Sequence, residues 1–132
     1  MVLTRDGINV IAARATGDNG GKYFTHVAIG TGSRKETRGD QALASEIATS
    51  SGARLVIVDN GSVATFGTQF RVQARLSRGL FPGTNTITIR EVGIFDSDTG
   101  GKLLARVTLP NPVSLTIGST TIITMTVDIT PK

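Results

Sequence analysis

Apolar and polar residues alternate along much of the second half of the chain. In "QFRVQARL", Phe70, Val72, Ala74 and Leu76 fall on one side of an extended backbone and Arg71, Gln73 and Arg75 on the other, since successive side chains of a strand point to opposite faces. "TTIITMTVDIT" does the same, with Ile123, Met125, Val127 and Ile129 opposed to Thr124, Thr126 and Asp128. Between these two stretches, "TIREVGIFDSDTGGKLLARVTLP" reads as two apolar strands joined by a turn of Asp, Ser and Gly. Asn60-Gly61 is the strongest short hairpin signal in the chain, and strands are expected on both sides of it from residue 53 onward. "SRGLFPGTN", residues 77 to 85, should be an exposed loop, because Pro82 cannot donate to a ladder and Gly79 and Gly83 relax the backbone.

The first third follows a different period. In "LTRDGINVIAARATG", Thr4 is placed to cap a helix, Asp6 sits where the helix dipole favours a negative charge, and Gly17 supplies a stop. Ile8, Ile11, Ala12 and Ala15 recur at helical spacing, which predicts a short helix lying on a sheet, with Gly7 the discordant residue in its first turn. After the turn "GDNGG", the stretch "KYFTHVAIGTG" predicts a strand that ends at Gly30 and Gly32. A second short helix is expected over residues 40 to 48, with Asp40 as its cap and Leu43 and Ile47 four residues apart. Helices first and antiparallel strands afterwards define an α+β class. The expectation is one structural domain over residues 1 to 132: a β-dominated antiparallel sheet or sandwich, with two short helices in the N-terminal third.

Composition narrows the function more than the fold. With 132 residues and 39% hydrophobic content, the chain is long enough to bury a core without staples. It has no Cys, so disulfides, thiolate metal sites and a Cys nucleophile are excluded. The net charge of +4 is scattered, its densest basic run "SRKETR" includes Glu36, and aromatics make up only 5%, a pattern that does not suit specific nucleic-acid recognition. Arg5 and Asp6 interrupt the N-terminal stretch before an apolar segment can develop, so no targeting segment is expected there, and no apolar run is long enough for a membrane-spanning helix.

Several residues invite a chemical reading. Glu91 lies in an apolar strand where Ile87, Ile89, Glu91, Gly93 and Phe95 should share one face and Thr88, Arg90, Val92 and Ile94 the other. Such a strand is either covered on both sides or used as a contact surface between subunits. A carboxylate on a core face needs a partner, and Arg71, Arg75 and Arg106 all lie on candidate neighbouring strands, so a structural ion pair is preferred over a catalytic acid. "DSDTGG" begins like a calcium loop, yet its twelfth position is Val107 rather than Glu, and a plain hairpin turn accounts for it. "GTGSRKETRG" places Lys35 where a dinucleotide fingerprint needs its third glycine. Arg38-Gly39-Asp40 spells an adhesive tripeptide, but Asp40 is already assigned as a helix cap. His26 is the only histidine and no G-x-S-x-G elbow is present, so neither a His-rich metal site nor a serine hydrolase is indicated. No cofactor, metal or catalytic residue is expected, and the chain is not read as an enzyme.

The order of these pieces resembles the N-terminal collar or attachment domain of bacteriophage tail fibres and the small tail-collar and baseplate proteins of long-tailed phages. The resemblance rests on the leading helix, "FTHVAIGTG", "ALASEI" and above all "IREVGIFD" followed by a turn and a renewed strand. It implies a structural virion protein of the phage tail, assembled in the host bacterial cytoplasm. Such a protein associates with itself as a ring or trimer and with tail tube, baseplate or fibres, and it neither recognises nucleic acid specifically nor inserts into a membrane. The residues carried over are Glu91, Gly93, Phe95, Gly30, Gly32 and Glu46, assigned to fold and assembly. Val92 and Ile94, from the reading of the strand itself, complete the assembly candidates. A tail fibre would continue for a long shaft beyond the position of Lys132, which turns the expectation towards a standalone collar, ring or adaptor. The competing reading is a secreted β-sandwich module that binds carbohydrate or a cell surface. It is weakened by the absence of Trp and by the single Tyr, Tyr23.

Overall fold

The computed structural model describes residues 2–15, 24–57, 64–66 and 69–128. Among them are one α-helix, α1 (Arg5–Ala15), a 3-10 turn (Arg78–Leu80) and eight strands: β1 (Val2–Leu3), β2 (His26–Gly30), β3 (Leu55–Val56), β4 (Ala64–Phe66), β5 (Gln69–Ser77), β6 (Ile87–Phe95), β7 (Leu103–Leu115) and β8 (Thr120–Asp128). All strand pairs are antiparallel. Five strands form one sheet in the order β1-β7-β6-β2-β3, and a smaller sheet has the order β4-β5-β8. The protein is therefore mostly antiparallel β.

The two sheets share one apolar core. Val27 and Ile29 of β2 with Val92 and Ile94 of β6 meet Val72, Ala74 and Leu76 of β5 and Met125 and Val127 of β8. The alternation read in β5 and β8 thus places Val72, Ala74, Leu76, Met125 and Val127 inside, while Arg75, Thr124 and Thr126 are exposed; the Phe70 side chain lies outside the described residues. Ile129 and the turn at Asn60-Gly61 lie outside the described residues. The strands flanking that turn do not pair with each other: β3 joins β2 in one sheet and β4 joins β5 in the other. The hairpin of this region is instead β4–β5, in which Phe66 opposes Gln69.

Helix α1 begins as expected, with the Thr4 hydroxyl accepting from the Gly7 amide at 3.1 Å. The same hydroxyl donates to the Leu103 carbonyl oxygen at 2.5 Å, so the cap also ties the helix to β7. The buried side of the first turn is Thr4 and Gly7, whereas Ile8 is 41% exposed and Ala12 and Ala15 are also exposed. The apolar stripe anticipated from the spacing is therefore not the contact face. Close backbone approach at Gly7 decides the helix orientation.

The second helix expected over residues 40 to 48 does not form. The backbone groups it would have used are taken by distant partners: Ile47 donates to the Ile29 carbonyl, Thr31 donates to the Ser45 carbonyl, and Gly30 bridges Glu46. Leu43 and Ile47 still point inward, but from an irregular segment, bent at Ala42, Ala44 and Ser45, that bridges β2 at Glu46. Tertiary pairing overrides a modest local preference.

The stretch at 77 to 85 is only partly an exposed loop. Arg78 and Phe81 are buried, and the Arg78 guanidinium donates to the carbonyl oxygens of Asn85 (2.7 Å), Phe81 (3.1 Å) and Pro82 (3.2 Å). One buried cation thereby satisfies three loop carbonyls that would otherwise lack donors.

Strand β6 is covered on both sides by its own chain. The expected single face through Ile87, Ile89 and Glu91 is broken, because Ile87 and Ile89 join the same core as Val92 and Ile94 while Glu91 does not. The cause is an irregularity in the ladder: Ile89 opposes Val113 but Glu91 opposes Thr108, leaving residues 109 to 112 bulged opposite Arg90. Pro110 and Pro112 fall in that bulge, where no ladder donor is required of them.

Candidate functional site

A buried charged cluster joins β6 and β7 to the loop that follows β2. Glu91 and Arg106 are both fully buried, and Asp40 is 7% exposed. Arg106 stands opposite Gly93 in the ladder, so it reaches Glu91 diagonally across the strand pair. Its Nε donates to Glu91 Oε1 at 3.0 Å, with Nη2 also 3.0 Å from that oxygen. Nη1 donates to Asp40 Oδ2 at 3.1 Å and Nη2 to the Arg34 carbonyl oxygen at 2.6 Å.

Glu91 has further donors. The Ala44 amide reaches Oε1 at 2.8 Å, and the amides of Gly32 and Ser45 reach Oε2 at 2.9 and 2.7 Å. These contacts explain the two glycines that end β2. A Cβ on Gly30 or on Gly32 would lie 2.5 Å from Glu91 Oε2, so the G-x-G spacing makes room for a carboxylate of the same chain rather than for a phosphate. Gly93 is constrained in the same way, since a Cβ there would come within 2.8 Å of Leu103 and Leu43 side-chain carbons.

Asp40 closes the other end. Arg34 donates to its Oδ1 at 2.7 Å, the Thr37 hydroxyl to Oδ1 at 2.9 Å, and the Thr37 amide to Oδ2 at 2.9 Å. Asp40 therefore caps a tight turn over residues 37 to 40, not a helix, and its burial leaves Arg38-Gly39-Asp40 unable to offer the acid to a receptor. Burial works against the Asp40 charge, but the hydrogen bonds from Arg34 and Thr37 outweigh it and hold the carboxyl at about 2, below its ordinary 3.8. Glu36 is likewise lowered: burial opposes its charge, and the Thr108 hydroxyl and amide, the latter at 2.8 Å, more than compensate.

A group whose folded pKa is depressed stabilises the fold fully above its ordinary pKa and loses that contribution as pH falls towards the folded value. For Asp40 the window runs from about pH 4 down to about pH 2, and the contribution at stake is roughly 2 kcal/mol. Denaturant unfolding across this range should show the loss, and Asp40→Asn should flatten it. An Asn variant with the parent's acid slope would assign the loss to other carboxylates.

The eight assembly candidates separate into three groups. Gly30, Gly32 and Glu91 form the cluster just described. Gly93 and Phe95 lie beneath it against Ala28, Leu43 and Leu103, and Arg54 stacks over the Phe95 ring at 3.6 Å from its centroid. Arg54 also pairs with Glu46 (Nε to Oε2, 2.9 Å) and donates to the carbonyls of Ser97 and Gly100, clasping the β6–β7 turn to the segment beside β2. Val92 and Ile94, at 3% and 0% exposure, belong to the core between the sheets, so they cannot be the surface through which copies meet. Asp96 accepts from the Lys102 amide at 2.8 Å, and Gly100 and Gly101 adopt positive φ, the arrangement of a hairpin turn. His26 is half-buried, with Nδ1 2.8 Å from the Thr25 hydroxyl. Among the described residues no group of three or more His, Asp or Glu side chains is placed to hold a metal ion, and no helix is long and apolar enough to cross a membrane.

Two members of the cluster are not apparent from sequence: Asp40 reads as a helix cap, and Arg34 as one more charge of the basic run "SRKETR". The usable signal was the pair of glycines next to a strand-borne Glu, since a buried carboxylate with several donors requires close backbone approach. No protein-family model matches the chain, and no curated protein matches it either.

Proposed function

We propose that this chain is a structural virion protein of a bacteriophage tail, a collar, ring or fibre-attachment adaptor that associates with itself and anchors tail tube, baseplate or fibres. One observation carries the reading. Three of the four stretches on which the family resemblance rests, those containing "IGTG", "ALASEI" and "REVGIFD", converge on the Glu91 carboxylate through the amides of Gly32, Ala44 and Ser45, while the leading helix does not take part. Residues that look like a motif thus act together to hold a loop on a sheet, which is the work of a scaffold. Glu91 takes donors on both oxygens and has no exposed surface, which suits a structural anchor better than a proton-transfer group. Among the described residues along the groove bordered by Leu55, Leu80 and Arg75 none is aromatic, which gives the carbohydrate-binding alternative little to build on.

Mass spectrometry of phage particles purified from the source lysate tests the proposal. The protein should be present in several copies per particle, and gold-labelled antibody should decorate the tail in electron micrographs. Its absence from purified particles would overturn the assignment.

A further inference from the structure

We propose that β8 is the surface through which two copies of this chain associate, by antiparallel pairing of β8 with itself across a two-fold axis. This inference deepens the self-association in the function proposed above, giving it as a two-fold dimer in place of the expected ring or trimer, and rests on that reading for its biological setting. Its physical basis is independent.

Unpaired strand edges are templates for another chain, and proteins commonly guard them. Among the described residues, three of the four sheet edges are guarded. Strand β1 is two residues long, and the β7 edge beyond it has its Thr108 amide taken by Glu36 and carries Pro110 and Pro112. Strand β3 is also two residues long, and Ile57 just after it bridges to Ala74 of β5. Strand β4 has three residues. Strand β8 differs from all of these. It runs nine residues, pairs with β5 from Gln69↔Asp128 to Ser77↔Thr120 without a bulge, and contains no Pro, Gly or Lys. Among the described residues no strand pairs with its other side. β1 comes near it but gives its pairing to Ala105 and Arg106.

The register shows which backbone groups are open. The Arg78 amide donates to the Ser119 carbonyl, which makes 78 and 119 a hydrogen-bonded pair at the end of the β5–β8 ladder. Bonded and non-bonded pairs alternate in an antiparallel ladder, so Thr120, Ile122, Thr124 and Thr126 direct both N–H and C=O away from β5. Their side chains are exposed as well, Ile122 at 56%.

The occupant that fits is a second copy. Centring the axis on Thr124 sets Thr124 against Thr124, Ile122 against Thr126 and Ile123 against Met125, so apolar residues meet apolar ones on the inner face and β-branched residues meet on the outer. Asp128, the one charged residue of the strand, then stands opposite Thr120 and not opposite itself. A strand with so little charge offers nothing to select an acidic or basic partner, yet it is where two chains of net charge +4 can approach at least cost. Arg71 and Arg75 of the two copies would be three strand spacings apart, roughly 14 Å, beyond the screening length at physiological salt. Each of the pairs 124/124, 122/126 and 126/122 would exchange two backbone hydrogen bonds, joining the two small sheets into one.

Analytical ultracentrifugation of the full chain tests this, with amide exchange as a second readout. The expected result is a particle of twice 13.8 kDa at micromolar concentration, with the amides of Thr120, Ile122, Thr124 and Thr126 protected in a concentration-dependent way. Thr124→Pro removes only an outward amide, and Thr124→Lys sets like charges against each other on an exposed face. Both should weaken association about tenfold or more while keeping the parent's circular dichroism spectrum. The Lys variant keeps the test valid if the Pro variant fails to fold. A parent that stays monomeric, or an assembly whose mass and amide protection survive both substitutions, overturns the proposal. A monomer that is nonetheless found in tail particles overturns β8 pairing and spares the virion reading. A β8-paired dimer absent from particles supports the pairing and removes the virion reading.

Discussion

Glu91→Ala is expected to destabilise the fold by about 3–5 kcal/mol in urea or thermal unfolding, the range for a buried ion pair deprived of one partner. The loss has two sources. Arg106, fully buried, keeps Asp40 but no longer has the carboxylate 3.0 Å from its Nε. The amides of Gly32, Ala44 and Ser45, which are only partly buried, lose their acceptor, and water recovers much of the roughly 1–3 kcal/mol that a fully buried unpaired donor would cost. The damage should begin locally. Amide exchange in the segment from residue 31 to 46 should accelerate before the β5–β8 ladder opens, because that segment is held to the sheet through Glu91. A loss below about 0.5 kcal/mol, typical of an exposed surface position, would show that the cluster does not anchor the loop.

The cluster need not add net stability over an apolar replacement, since desolvating both charges offsets most of their attraction. Its physical role is selection. A slip of β7 by one residue against β6 would turn Arg106 to the opposite face and leave Glu91 buried without it.

Gly7→Ala is expected to lower stability by about 1–3 kcal/mol, although Ala is the better helix former by about 1 kcal/mol. A Cβ at this position would fall on the Leu104 carbonyl oxygen and come within 2.9 Å of its carbon, and both atoms belong to backbone that cannot rotate aside. The helix must then lift from β7, straining the bond from the Thr4 hydroxyl to Leu103 and the bond from the Thr4 amide to Leu104, the latter 3.0 Å long. Chemical denaturation of the two proteins checks the sign. A variant more stable than the parent would mean that helix propensity outweighs the contact and that α1 is only loosely held.

Legibility followed the range of the interactions. The faces of β5 and β8, the start of α1 at Thr4, and the β6–β7 hairpin depend on neighbours a few residues away, and alternation or capping chemistry records them directly. The pairing of Glu91 with an arginine could be anticipated because a buried carboxylate has few tolerable solutions, and Arg106 was one of three candidates. Residues 40 to 48 went the other way. Leu43 and Ile47 keep helical spacing, yet Ala44, Ser45 and Ile47 donate to Glu91 and Ile29, partners that no local pattern discloses. Val92 and Ile94 illustrate a second limit: an apolar face looks the same in sequence whether its own chain or another copy covers it.

By itself, then, the amino-acid sequence determined the two faces of β5 and β8, the capped start of α1, and that a lone carboxylate in an apolar strand needed a cation, because each of these follows from side-chain period, capping chemistry and the cost of burying charge. Only the tertiary structure decided that Arg106 is that cation, that three loop amides complete the site, that Gly7 rather than Ile8 faces the sheet, and that among the described residues no strand pairs with the outer edge of β8. Those outcomes depend on contacts between residues far apart in the chain, where the geometry of the packed backbone chooses among partners that local chemistry leaves equivalent.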